Sequence, residues 1–260
     1  NRATMSLLNM CNEMFRKNIE IRRITKTCAL LLMSGLSPHD IPQKIIDKCL
    51  ANQKNDGGYI GNTDTLWNIK FLKFYPKYEK ECDRAIKWLI SDNGGEEGFG
   101  RSKRDMHRIP VTGLVLYLLP EIATVKNLEW LEQTWNSELN SLTYKAAYTI
   151  LAFNENQYLP KTNSNLICET ADWLNTQQEA SGGFAPWLAH PVGENVYCTA
   201  IALLALISMQ EDRYRNNIEK AYDYLCKTQL RSGIWAYHEI EDGASWGLYA
   251  LSRAENYLEV

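Results

Sequence analysis

Trp173-Leu174-Asn175-Thr176-Gln177, running into Gly182-Gly183-Phe184, is the stretch whose reading decides the fold. A variant of it returns three more times. Leu50 is followed by Gln53 and Gly57-Gly58-Tyr59, Leu89 by Asp92, Gly94-Gly95 and Gly98-Phe99, and Leu225 by Gln229, Gly233 and Trp235. Each copy ends one apolar-periodic segment and leads into the next. Self-similarity at a spacing of roughly 40–50 residues signals stacked supersecondary units. The glycines release the chain from helix and allow positive φ, and the aromatic after them plugs the turn. The glutamine can bond turn backbone that would otherwise go unpaired.

Twelve segments outside these turns read as helices: 3–17, 20–34, 39–53, 63–75, 79–91, 109–119, 125–136, 141–153, 163–178, 194–209, 213–229 and 243–257. Apolar residues recur at i, i+3, i+4 or form continuous buried runs, and no useful β-alternation appears. Segments such as 163–178 are amphipathic, whereas Tyr197 to Leu206 is apolar nearly all round, as a helix surrounded by protein must be. Alternating half-wet and dry helices predict two concentric rings. Six helical hairpins make an (α/α)6 barrel, read as one domain over residues 1–260; an open superhelix of hairpins is the alternative.

Composition bounds the rest. A chain of 260 residues that is 45% hydrophobic can bury a large core, and a net charge of −3 argues against nucleic acid as partner. Seven cysteines without CxxC pairs read as reduced thiols, hence a cytoplasmic location. No membrane span and no signal peptide are visible, although peripheral membrane contact stays open. The 28 aromatics, 8 Trp and 14 Tyr among them, are many for a helical chain.

The repeats resemble the Gln-Trp-type repeats of the squalene-hopene cyclase and protein prenyltransferase superfamily, on Trp173–Gln177 with Gly182-Gly183-Phe184 and on Tyr224–Gln229 with Gly233-Ile234-Trp235. The helix Thr199–Leu206 is similar to that superfamily's inner barrel helices. The resemblance covers about four of six hairpins, roughly residues 40–255. It implies an isoprenoid held in the barrel cavity, with chemistry at the mouth where inner-helix N-termini converge. Protonation-initiated cyclisation by a class II terpene cyclase-like isomerase or lyase is the leading expectation. A prenyltransferase-like subunit with a partner chain, or a non-catalytic lipid- or peptide-binding barrel, is the alternative.

Glu239-Ile240-Glu241-Asp242-Gly243-Ala244 resembles the Asp-x-Asp-Asp-Thr-Ala motif of class II cyclases. The match implies Glu241 or Asp242 as proton donor, flanked by Glu239. Crowded carboxyls cannot all ionise, so one is expected to stay neutral. Glutamate at two acid positions and Gly243 in place of Thr depart from the motif. Simple acidic capping of the last helix is the competing explanation. Asp64 in Gly61-Asn62-Thr63-Asp64-Thr65 reads as an N-cap.

Arg101, Lys103, Arg104 and Arg108 stand before an inner helix and make a candidate diphosphate clamp, weighed against a solvated loop. Tyr197 and Trp246, on inner helices, are candidate cavity walls where a carbocation would meet π-faces. No cofactor is expected. Zinc and magnesium stay open: the prenyltransferase metal position reads Val196-Tyr197-Cys198 without its Asp, with His190 and His238 near the same rim.

Overall fold

A computed structural model describes residues 2–92 and 97–259. Twelve α-helices occur among them: α1 (Arg2–Arg16), α2 (Ile21–Met33), α3 (Gln43–Ala51), α4 (Asn62–Leu72), α5 (Glu79–Asp92), α6 (Ile109–Leu118), α7 (Val125–Ser137), α8 (Thr143–Glu155), α9 (Leu166–Thr176), α10 (Val196–Ser208), α11 (Arg215–Thr228) and α12 (Ile240–Leu258). An isolated bridge between Gln178 and Phe184 is the one β-type pairing described.

The even-numbered helices form the inner ring. α2 packs on α4, α4 on α6, α6 on α8, α8 on α10, α10 on α12, and α12 returns to α2. The odd-numbered helices lie outside, each against its inner neighbours. The reason is in the sequences. All of α10 except Tyr197 and Ser208 is buried, whereas α11 buries only Ile218, Ala221, Tyr224 and Leu225, one stripe at helical spacing. The expected (α/α)6 barrel is thus the observed one.

Three glutamine–glycine turns share one geometry. Gln53 Nε2 donates to Gly57 O at 2.8 Å and to Glu81 O on α5 at 2.8 Å. Gln178 Nε2 donates to Gly182 O and to Asn217 O on α11, both at 2.9 Å. Gln229 Nε2 donates to Gly233 O at 2.8 Å. The glycines sit at φ +98, +93 and +87, and a Cβ there would meet backbone of α5, α11 and α1 at 2.6, 2.3 and 2.5 Å. Each turn therefore clamps the outer helix it leaves to the next one around the ring. In the second copy, Gly94-Gly95 lies outside the described residues.

Two sequence expectations are corrected. Gln178, not Gln177, is the third copy's clamp; Gln177 instead accepts from Leu188 N at 3.2 Å. The last helix starts at Ile240 rather than 243, so Glu241 and Asp242 belong to its first turn. The turns also use inner-helix threonines. Thr65, Thr112 and Thr199 hydroxyls accept from the backbone N–H of Tyr59, Phe99 and Phe184 at 3.1, 2.7 and 2.9 Å.

Candidate active site at the inner-helix N-terminal mouth

Because every glycine turn leads from an outer to an inner helix, the N-termini of the inner helices gather at one end. Three inner helices send polar stripes into that mouth. α2 contributes Arg22 and Lys26, α4 contributes Asp64 and Trp67, and α12 contributes Asp242, Trp246 and Tyr249, all at i, i+3/i+4 spacing. Lys26 Nζ reaches Asp242 Oδ1 at 2.5 Å and lies 5.4 Å from the Trp67 ring centroid. Trp67 meets Trp246 edge-on at 5.8 Å, and Trp246 contacts Tyr249 at 6.2 Å. Trp246 is fully buried, and its indole N–H has no acceptor among the described residues.

The acids expected from sequence are brought together here, Glu241 and Asp242 each against a cation. Glu241 is buried and bound by both Arg23 Nε and an Arg23 terminal nitrogen. Burial works against the charge of Arg23, but the bond to Glu241 outweighs it and holds the guanidinium more firmly protonated. Glu239 is exposed at the N-cap position without capping through its side chain. Arg22, Arg23, Lys26, Thr27 and the three acids line a crevice of only about 20 Å³.

Asp64 is not the helix cap its sequence position suggests: Gly61 holds the N-cap position. Its side chain is 13% exposed, with Arg22 Nε as its neighbour at 3.8 Å. Burial pushes its carboxyl above the usual aspartate range, and Arg22 only partly offsets this. Arg22, Arg23, Lys26, Asp64 and Trp67 are the members of this mouth that motif matching missed. They carry no motif; their i, i+4 and i, i+3 polar spacing within otherwise dry helices is the signal that could have found them.

Tyr197 is half-buried on α10. Its hydroxyl pairs with that of Tyr148 at 2.9 Å, and its ring stacks on Tyr237 at 6.0 Å. Burial raises both the Tyr148 and Tyr197 phenols well above their usual value, so both stay neutral.

The basic segment is an exposed loop folded on its own acid. Asp105 accepts from Arg101 N at 3.0 Å and from Arg108 at 2.9 and 3.1 Å. Arg108 holds that carboxyl down to about 2, helped by the Arg101 backbone. The loop stands at this same mouth, because Arg101 O accepts from Asn62 N at the start of α4 at 2.8 Å. Lys103 and Arg104 are exposed.

Among the described residues no three His, Cys, Asp or Glu side chains gather as a metal site. Cys198 is buried and its thiol is pushed up to about 11 by burial. His190 packs on Trp187 and His238 on Tyr237. Among the described residues no helix is long and apolar enough to cross a membrane.

Residues 124–249 match the prenyltransferase alpha-alpha toroid domain family. Two solved structures share the fold: the ligand-free type II terpene cyclase MstE from Scytonema, and a variant of it in complex with its substrate, geranylgeranyl dihydroxybenzoate. The first is 15% identical with a TM-score of 0.76, the second 14% identical with a TM-score of 0.72. In each case the match covers 91% of this chain and 88% of the other. No curated protein sequence matches this chain. The closed double ring, its glycine-turn clamps and these likenesses agree: residues 124–249 match the prenyltransferase alpha-alpha toroid domain, and the chain shares the fold of the type II terpene cyclase MstE.

Proposed function

We propose that this chain, acting as a single barrel, is a class II terpene cyclase-like isomerase or lyase of the cytoplasm. It would bind a prenylated small molecule or prenyl diphosphate in the barrel and start cyclisation by protonation. One observation carries the reading. Carboxyls at one mouth adjoin a continuous run of interior aromatics, through Lys26, Trp67, Trp246 and Tyr249.

The step balances as an isomerisation. A neutral carboxylic acid gives its proton to a terminal alkene, and the carbon left electron-poor is attacked by the next double bond. A final C–H proton returns to a carboxylate. Aromatic faces stabilise the travelling cation by roughly 0.5–2 kcal/mol each. Trp67, Trp246 and Tyr197 would serve in this way. A donor must be neutral when the alkene arrives. Burial favours that state for Asp64. Asp242 Oδ1 lies 2.5 Å from Lys26 Nζ, the contact across which it would take a proton. Glu241, held twice by Arg23, and Glu239 beside it position that cation.

The test is incubation with geranylgeranyl diphosphate and with geranylgeranyl dihydroxybenzoate, followed by mass spectrometry for products of unchanged mass and altered retention. Asp64→Asn, Asp242→Asn and Glu241→Gln are assayed singly. Loss of turnover with substrate binding kept identifies the donor. Full rates in all three variants, or no isomer from any prenyl substrate, would sink the reading.

A second reading is prenyl transfer, with or without a partner chain. The position of Arg101, Lys103, Arg104 and Arg108 at this same mouth favours it, because transfer reacts at the diphosphate-bearing carbon. Arg104→Gln with Arg108→Gln should then weaken geranylgeranyl diphosphate binding, more so at low salt.

A further inference from the structure

The seven cysteines are scattered in sequence without CxxC pairs, but folding brings two of them together. Cys28 Sγ lies 3.7 Å from Cys11 Sγ, seventeen positions away, and both residues are fully buried. Other buried thiols face different partners. Cys49 meets Tyr59 OH at 3.5 Å and Asn68 Oδ1 at 3.3 Å. The helices explain the meeting. α1 buries one stripe, Ala3, Leu7, Cys11 and Met14, and packs on both α2 and α12. Cys28 stands in the dry run 27–32 of α2. A small apolar side chain would fill either place, so packing alone needs no sulfur. Two facing thiols can do what two alanines cannot, which is to join.

The place of the join gives it a consequence. α12 returns to α2 to close the inner ring, and α1 lies against both at that seam. The last glycine turn also rests on α1: Ser6 Oγ donates to Ser232 O at 2.7 Å, and a Cβ on Gly233 would meet Ala3 N at 2.5 Å. The ion pairs Arg23–Glu241 and Lys26–Asp242 cross the same seam.

We propose that Cys11 and Cys28 are the site of a reversible disulfide that fastens α1 over the α2–α12 seam, with a small disulfide of the glutathione class as oxidant. Bonded sulfurs stand about 2.05 Å apart, so these two must approach by roughly 1.7 Å, less than the swing of one Sγ between χ1 rotamers. The exchange balances. Lifting α1 carries Cys11 into water, where its thiolate attacks one sulfur of oxidised glutathione and expels a glutathione thiolate. Before α1 reseats, the Cys28 thiol gives its proton to solvent and displaces the second glutathione. Two protons and two electrons leave the pair, and oxidised glutathione departs as two reduced molecules. The seated pair is slow to react, because its bond to Cys11 and burial push the Cys28 thiol well above its usual range. The tie is independent of the reaction at the mouth.

The experiment is refolding of the full chain from urea at neutral pH in a glutathione buffer, alkylation with N-ethylmaleimide, and tryptic mapping without reductant. Oxidised glutathione is raised until the exposed Cys226 carries it, an internal control. Peptide 3–16 joined to peptide 27–44, two hydrogens short of their sum, is expected. The cross-linked protein should melt roughly 5 °C above its own dithiothreitol-reduced form, and Cys11→Ser and Cys28→Ser should each lose that difference. On the folded protein the cross-link should form faster as urea is raised below the unfolding midpoint, since α1 has to lift. Cys226 modified while Cys11 and Cys28 are recovered as alkylated thiols overturns the proposal. So does Cys28 joined to any other cysteine, or a melting point that the cross-link leaves unchanged or lowers. The map and the melting comparison use the unaltered sequence, so they decide the matter even where a serine variant fails to fold.

Discussion

Gln178→Ala and Gln177→Ala, one residue apart, should differ sharply in stability. Gln178 makes three hydrogen bonds: to Gly182 O and Asn217 O at 2.9 Å each, and from Asn217 Nδ2 at 2.7 Å. The side chain is half-buried, so water can replace some of what is lost. At about 0.5–1.5 kcal/mol net per bond, truncation costs roughly 2–4 kcal/mol. Gln177 makes a bond to Leu188 N in the following loop and one to its neighbour Thr176, both exposed. Its loss should cost under about 1 kcal/mol. Urea unfolding followed by far-UV circular dichroism reads both as shifts in midpoint at constant slope. For a chain of this size the larger cost corresponds to roughly 4–7 °C in Tm. Equal costs for the two variants, or a larger one for Gln177→Ala, would refute the clamp.

Gly182→Ala should destabilise by more than about 2 kcal/mol, since φ is +93 and the new Cβ would stand 2.3 Å from Lys220 O; thermal melting measures it. Glu132 is buried, and although burial opposes its charge, bonds from Thr162, Tyr158 and Lys161 N hold its carboxyl below the usual range. Its folded value being depressed, it contributes stability above the unfolded value of about 4.3 that fades as pH falls through the folded one; Glu132→Gln should flatten that part of a stability–pH profile. Trp246→Phe removes an indole N–H with no acceptor and should cost far less than the roughly 3–5 kcal/mol of Trp246→Ala, as judged by urea midpoints.

The barrel was legible because its signals are local. A dry helix such as α10 and a striped one such as α11 declare their layers by periodicity alone. Spacing from Leu misplaces the glutamine register: Leu225 precedes its clamp by four residues and Leu50 by three. Spacing to the glycine is fixed at four in Gln53–Gly57, Gln178–Gly182 and Gln229–Gly233, since it is set by one turn's hydrogen bonds. The threonines escaped because Tyr59–Thr65 and Phe184–Thr199 lie six and fifteen positions apart, with no fixed spacing. The mouth was half legible. Glu241 and Asp242 stand in a recognisable string, but their partners Arg23 and Lys26 lie more than two hundred residues away, and only ring closure of α12 on α2 joins them.

That closure sets a charge arrangement from which the donor can be told. Arg22, Arg23 and Lys26 face Asp64, Glu241 and Asp242, with Glu239 in the same crevice and Glu20 beside Arg22. A donor that gives up its proton leaves a carboxylate just as the substrate becomes a cation, so the conjugate base sits where it stabilises what it has made. Lys26 is the charge nearest the aromatic file, 5.4 Å from the Trp67 ring. A cation lodged some 6 Å from it would be repelled by about 3 kcal/mol at an effective dielectric near 20. Lys26→Met therefore separates the two donors. If Asp242 draws its proton from Lys26, the variant loses turnover. If Asp64 is the donor, the variant removes that repulsion and the rate holds or rises, while Asp64→Asn abolishes it. Single-turnover rates with geranylgeranyl dihydroxybenzoate read the difference. A Lys26→Met rate that falls together with that of Asp64→Asn, with Asp242→Asn untouched, would refute the arrangement as drawn.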